Sequence, residues 1–254
     1  MASALPSRRD GRADGVARPA DALPGLRHLG SPLAIDLWIA DLDAAVDDAS
    51  IALDETESAR AARFVFDRDR RRYLAAHRLL RGLLASRTGI SAAALSIAAD
   101  PNGKPHLVDH PCAFNLSHSG DVVLIGTADD GEVGVDVEVL RPTLDLDVVV
   151  RSHFSAGERW TIESLAPGAR DLAFLVGWTR KEACLKAVGV GLGLDTRSFH
   201  VGIRPVPMRV VMPLETGPMH LALVSTDGGD GAVAALAMVL TVKADAQEES
   251  EACA

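Results

Sequence analysis

The run Val133-Gly134-Val135-Asp136-Val137-Glu138-Val139 restricts the fold more than any other part of the chain. Strand geometry puts Val135 and Val137 on one face and Asp136 and Glu138 on the other, so two carboxylates stand side by side. Like charges so placed repel, and the flanking valines imply partial burial, so the pair is unfavourable unless a cation or water offsets it. Magnesium suits such a place, because it takes a few carboxylates and completes its octahedron with water and substrate phosphates. An edge strand with a wetted face is the competing explanation.

Asp129-Asp130-Gly131-Glu132 reads as a turn feeding this strand, near the middle of a 254-residue chain long enough for one large domain or two modest ones. Upstream, Ile35, Leu37 and Ile39 alternate as in a half-buried strand over residues 33–40. Residues 54–87 form one or two helices, with Tyr73, His77, Leu80 and Leu84 three or four apart and Gly89 as a C-terminal cap. Asn102-Gly103 is a tight turn that leads to strands around 113–116 and 122–127. Downstream, Ser155 and Glu158 have capping-box spacing for a helix to about residue 165, and a second helix runs from about 169 to 188. Strands return at 199–203, 208–212, 221–225 and 232–242. Each half thus reads as strand, helix and several strands, which predicts an α+β protein of two lobes, 32–129 and 130–243. Residues 1–31 read as a disordered leader and 244–254 as an acidic flexible tail.

Apolar residues make up 48% and charged residues 24%, enough for a core without staples. A net charge of −9 argues against broad nucleic-acid binding, which needs a cationic excess. Cys112, Cys184 and Cys253 are odd in number and widely spaced, which fits a reducing cytoplasm rather than a disulfide framework. The longest apolar stretch, 232–240, falls short of the roughly 20 residues of a membrane span. Arg8, Arg9, Arg12 and Arg18 precede no apolar core, so no signal peptide is complete.

Two further clusters carry chemistry. On a helix, Trp178, Glu182 and Lys186 fall on one face; an i,i+4 Glu-to-Lys pair is commonly a surface salt bridge. The chain has only four lysines beside 22 arginines, and Lys104, Lys181 and Lys186 all fall in the segments singled out here, which points to roles for a compact ammonium. Asn115-Leu116-Ser117-His118-Ser119-Gly120 ends a strand in small polar residues that can line a phosphate pocket or form an ordinary polar turn. No G-x-S-x-G elbow occurs, and Gly189, Gly191 and Gly193 follow a helix rather than open one, so hydrolase-triad, dinucleotide and P-loop readings fail.

In this order the clusters resemble the 4′-phosphopantetheinyl transferases of the larger, monomeric, surfactin-synthetase-activating type. The matching pieces are residues 60–69, Gly103-Lys104-Pro105, Asn115 to Ser119, Gly134 to Glu138, Phe154-Ser155 with Glu158, and Trp178 to Lys186 with Gly189 to Leu192. The resemblance implies a pseudo-dimer of two α+β lobes with coenzyme A in the cleft between them. It implies magnesium-dependent transfer of phosphopantetheine from coenzyme A to a serine of an acyl or peptidyl carrier protein domain, releasing adenosine 3′,5′-bisphosphate. Asp136, Glu138 and Glu182 would hold magnesium, and Glu182 or Asp136 would accept the serine proton while Lys186 meets the departing oxygen. Asn115, Ser117 and His118 would sit at the coenzyme A site, the last two on phosphate, with Arg60 and Lys104 at the 3′-phosphate and adenylate end. Arg71 and Arg72 are further basic candidates. A binding module that has lost catalysis and a magnesium-dependent nucleotide hydrolase are the alternatives.

Overall fold

Alternating apolar residues build two four-stranded antiparallel sheets. A computed structural model describes residues 23–45 and 48–240. The first sheet has the order β1 (Arg27–Leu29), β2 (Asp36–Asp41), β6 (Val122–Ala128), β5 (Ala113–Ser119). The second has the order β7 (Val133–Val139), β10 (Ala232–Val239), β9 (Gly217–Asp227), β8 (Met208–Leu214). A ribbon of β3 (Ile97–Ala99) and β4 (Pro105–Leu107) pairs with neither sheet, but its Leu107 is packed into the core under the first. Helices α1 (Glu55–Ala61) and α2 (Asp67–Thr88) follow the first long strand of one lobe, and α3 (Leu146–His153), α4 (Ala156–Glu163) and α5 (Pro167–Val188) follow that of the other.

The two lobes repeat one plan. Strand order β2-β6-β5 corresponds to β7-β10-β9, and each lobe has a 22-residue helix, α2 or α5, after its first long strand. Both helices stop at a glycine in the left-handed region, Gly89 at φ 74° and Gly189 at φ 78°, where a side chain would be strained. The fold is therefore an α+β pseudo-dimer.

Local chemistry accounts for the helix starts. Asp54 accepts from the Glu57 N–H, and the Glu57 carboxylate accepts from the Asp54 N–H, which closes a capping box on α1. Ser155 and Glu158 close another on α4, as their spacing predicts. The inner faces of the sheets share one core in which Ile35, Leu37 and Leu124 meet Val135, Val137 and Leu236. The α2 residues Leu79, Leu80 and Leu83 cover the outer face of the first sheet, and the α5 residues Ala183, Cys184 and Ala187 cover that of the second.

Gly134 sets the distance between β7 and α5. A Cβ there would fall on the Ala183 carbonyl oxygen and the Ala187 nitrogen, which are helix backbone and cannot yield as a side chain does. Gly134→Ala is expected to lower the unfolding free energy by about 3 kcal/mol, the upper end for overpacking. Urea unfolding checks this, and a loss under about 1 kcal/mol would contradict the close approach.

Three expectations are corrected. The disordered leader does not extend to residue 31, because Arg27–Leu29 pairs antiparallel with Leu37–Ile39 and the His28 ring meets Trp38 edge-on at 4.6 Å. A three-residue strand is too short to show alternation. Residues 199–203 form no strand, although Phe199 and Val201 are buried. Their backbone is satisfied by side chains instead: Phe199 O accepts from Lys181 Nζ, Val201 O from Arg180 Nε, and the Val201 N–H donates to Glu158. Helix α3 occupies a stretch to which the sequence reading assigns no element. Residues 1–22 and the acidic tail lie outside the described residues. No helix among the described residues is long and apolar enough to cross a membrane.

Candidate active site

The edge strands β5 and β7 face each other across the lobes, and side chains join them where backbone pairing is absent. The Val135, Val137 and Val139 N–H groups donate to Asn115 Oδ1, Ser117 Oγ and Ser119 Oγ at 2.9, 3.4 and 3.2 Å. The two-residue period of both strands brings every donor opposite an acceptor. The same serines donate onward, Ser117 to Asp136 Oδ1 at 2.8 Å and Ser119 to Glu138 Oε2 at 2.7 Å. One ladder thus fastens the lobes and orients both carboxylates.

Across Gly134, α5 contributes Glu182 and Lys186. Lys186 Nζ donates to Asp136 Oδ1 at 2.6 Å and to Ser117 Oγ at 3.0 Å. Asp136 is 4% exposed, and its buried Oδ2 has no hydrogen-bond partner among the described residues. Burial raises the Asp136 carboxyl above the ordinary value, against the pull of Lys186 and Ser117. Glu182 is also raised, by burial first and then by the charge of Asp136. As the side chains stand, no three His, Cys, Asp or Glu groups among the described residues are placed to share a metal ion. Lys186 is the cation that meets Asp136.

These groups border a cleft of about 500 Å³. Arg60, Lys104, Asn115, Ser117, His118, Glu182 and Lys186 all line it, while Asp136 and Glu138 lie behind the wall, bonded to Ser117 and Ser119. His118 is exposed as a residue, yet desolvation in the cleft and then the charges of His77, Lys186 and Arg60 pull its imidazole below the usual value. Lys104 Nζ reaches the α5 terminus, donating to Ala187 O at 2.6 Å and to Glu132 Oε2 at 2.5 Å. Arg72 is bound instead to Asp43, and neither it nor Arg71 lines the cleft.

The sequence reading missed Glu57 as a wall residue and assigned no site role to His77, Leu80, Ile97 or Phe114. The spacing of Tyr73, His77 and Leu80 marks a helix face, but a face against a core and a face against a cleft have the same period. Lys181, one residue from Glu182, is fully buried and faces the opposite way, bonded to Glu158 Oε2, Thr196 O and Phe199 O. Its rarity among arginines reflects a structural socket.

A buried acid beside an ammonium, in an interlobe cleft with a basic wall, is suited to moving a phosphorylated group. A model described as 4′-phosphopantetheinyl transferase, N-terminal, matches residues 41–130, and one for the 4′-phosphopantetheinyl transferase superfamily matches residues 132–233. The chain is 32% identical over 212 residues to the 4′-phosphopantetheinyl transferase HetI of Nostoc sp. (strain PCC 7120), covering 80% of this chain and 87% of that one. It is 36% identical over 142 residues to the 4′-phosphopantetheinyl transferase psf-1 of Bacillus pumilus, covering 56% and 60%. With the L-aminoadipate-semialdehyde dehydrogenase-phosphopantetheinyl transferase of Xenopus laevis it shares 28% over 168 residues, covering 61% and 55%. The chain belongs to the 4′-phosphopantetheinyl transferase superfamily. It is a transferase of the phosphopantetheinyl group, a holo-carrier-protein synthase.

Proposed function

We propose that the protein transfers 4′-phosphopantetheine from coenzyme A to a serine of an acyl or peptidyl carrier domain, with magnesium, releasing adenosine 3′,5′-bisphosphate. The observation that carries this is the buried Asp136 carboxylate, whose Oδ2 has no hydrogen-bond partner among the described residues, just behind a cleft lined by Glu182 and by cationic groups. A buried anionic oxygen without a donor fits a divalent cation, and carboxylate oxygens are the ligands magnesium takes. Asp136, Glu138 and Glu182 would hold it, and it would supply charge neutralisation at the pyrophosphate.

The chain's own groups handle the proton and the leaving group. Glu182, which lines the cleft and whose carboxyl is held above its ordinary value by burial and then by the charge of Asp136, accepts the proton of the attacking serine. The serine oxygen forms a bond to the phosphorus of phosphopantetheine as the bond to the bridging oxygen breaks. Lys186, already within reach of Ser117 and Asp136, neutralises that oxygen. Ser117, His118, Arg60 and Lys104 line the cleft, where the first two would border the phosphates and the last two would face the nucleotide end. Both walls come from one chain, which supports a monomer, and the free Cys112 and Cys184 support a cytoplasmic setting.

Incubation with magnesium, coenzyme A and an apo carrier, followed by mass spectrometry, tests the reading. A phosphopantetheine adduct on the carrier is expected; release of adenosine bisphosphate without a carrier would point to hydrolysis instead. Magnesium at a hundred times its Kd is expected to stabilise the protein by about 2.7 kcal/mol, read by calorimetry. Asp136→Asn should remove this gain, and an undiminished gain would place the ion elsewhere.

A further inference from the structure

Away from the cleft, a second cavity of about 280 Å³ lies between the first half of α5 and the end of the β9–β10 hairpin. Ala169, Leu172, Ala173 and Val176 form its helix wall, spaced three or four apart, and Arg180 continues that stripe by one turn. Ser225 and Val233 stand opposite, on the sheet face that Leu221, Leu223 and Ala235 turn to α5. Ile203, Arg204 and Pro205 close a third side. The lining residues are apolar except for Arg204, Ser225 and Thr226, and none of them is acidic.

Arg180 gives this cavity an unbalanced charge. Its guanidinium is fully buried and donates to Val201 O at 2.7 Å, Ser225 Oγ at 2.9 Å and Val206 O at 3.0 Å, all of them neutral acceptors. Burial without a bonded carboxylate pulls its pKa down to about 10. Ser225 Oγ accepts from Arg180 and donates to nothing among the described residues, so its O–H is a spare donor polarised by a buried cation. Arg204, exposed at the rim, has no carboxylate partner among the described residues. Leu172 on the wall and Val206 beside the loop are 49% and 56% exposed, so apolar surface continues to the mouth. An anion here would supply the charge that the guanidinium lacks, and methylene groups would cover the apolar walls. The volume lies just under the range of about 300–1,000 Å³ for drug-sized ligands, so a short chain fits and a coenzyme does not.

We propose that this cavity binds a short linear aliphatic carboxylate, with its chain along Leu172, Val176 and Val233 and its carboxylate on the Ser225 hydroxyl and Arg204. The site shares no lining residue with the cleft of Glu182 and Lys186, and the inference does not rest on which group the protein transfers.

Calorimetric titration of the full chain with octanoate and with octanol tests this. One octanoate per chain is expected, with octanol bound at least about tenfold more weakly, the low end for a hydrogen bond to a charged group. Ser225→Ala should remove about that tenfold from octanoate binding and change octanol binding by less than about twofold. Arg204→Met, on the exposed rim, should weaken octanoate about threefold, within the range of an exposed ion pair, and it serves as the test if Ser225→Ala melts early. Ala169→Trp, which fills the cavity from its exposed end, should abolish binding of both probes. Absence of octanoate binding, equal binding of the two probes, or octanoate binding unchanged in Ala169→Trp would overturn the proposal.

Discussion

Glu182→Gln is expected to lower kcat for transfer by about 10³-fold, within the range of a general base, while the protein stays folded. Glu182 lines the cleft on α5, and burial and the charge of Asp136 hold its carboxyl above the ordinary value of 4.5. A carboxyl so raised binds its proton more tightly folded than unfolded, so its ionisation opposes folding at neutral pH. Glutamine keeps the shape and removes the charge, so the melting temperature should hold or rise as activity falls. Mass-spectrometric turnover and calorimetry on one preparation read both. A kcat within about tenfold of the unaltered protein would take the proton-accepting role from Glu182, and a collapse of melting temperature would make its role structural.

The second large effect is on stability. Lys181→Met is expected to lower the unfolding free energy by about 3–5 kcal/mol, as when one partner of a buried ion pair is removed. Lys181 and Glu158 are both fully enclosed and 3.0 Å apart, with the ammonium 4.6 Å from the Phe199 ring centre and 5.4 Å from that of Phe154. Without Lys181, the Thr196 and Phe199 carbonyls and the Glu158 carboxylate lose a donor in a dry setting.

Burial alone would raise the Glu158 carboxyl, but Lys181 and the Val201 and Ser155 N–H groups overcome it and hold it below 4.5. A depressed folded pKa means that the unfolded chain binds more protons, so this stabilisation is complete above about pH 4.5 and lost as pH falls through the folded value. Glu57, held down by His77, the Asp54 N–H and Arg81 against its own burial, adds in the same direction. Urea unfolding across acidic pH should therefore show the unaltered protein losing stability below about pH 4.5. The gap to Lys181→Met should narrow there, because a protonated Glu158 no longer needs a cation. A gap constant with pH would show that Lys181 acts by packing alone.

Much of the site was legible because its signals are local. The faces of β7 follow from a two-residue period, and Val135 and Val137 do lie in the core while Asp136 turns to α5. The i,i+4 spacing of Glu182 and Lys186 brings both to the cleft with Asn115, Ser117 and His118. Capping boxes and left-handed glycines likewise involve atoms within a few residues of one another.

Other features depend on what packs against an element. Residues 199–203 alternate like a strand, yet Arg180, Lys181 and Glu158 take up their backbone groups from 18 to 43 positions away. A helical wheel does not say which of two adjacent residues, Lys181 or Glu182, faces the socket and which faces the cleft. Periodicity, caps and turns were set by the amino-acid sequence through contacts along the chain. The side-chain ladder between β5 and β7, the approach of α5 over Gly134 and the Glu57–His77 contact were decided only by tertiary structure, because each joins groups 20 or more residues apart.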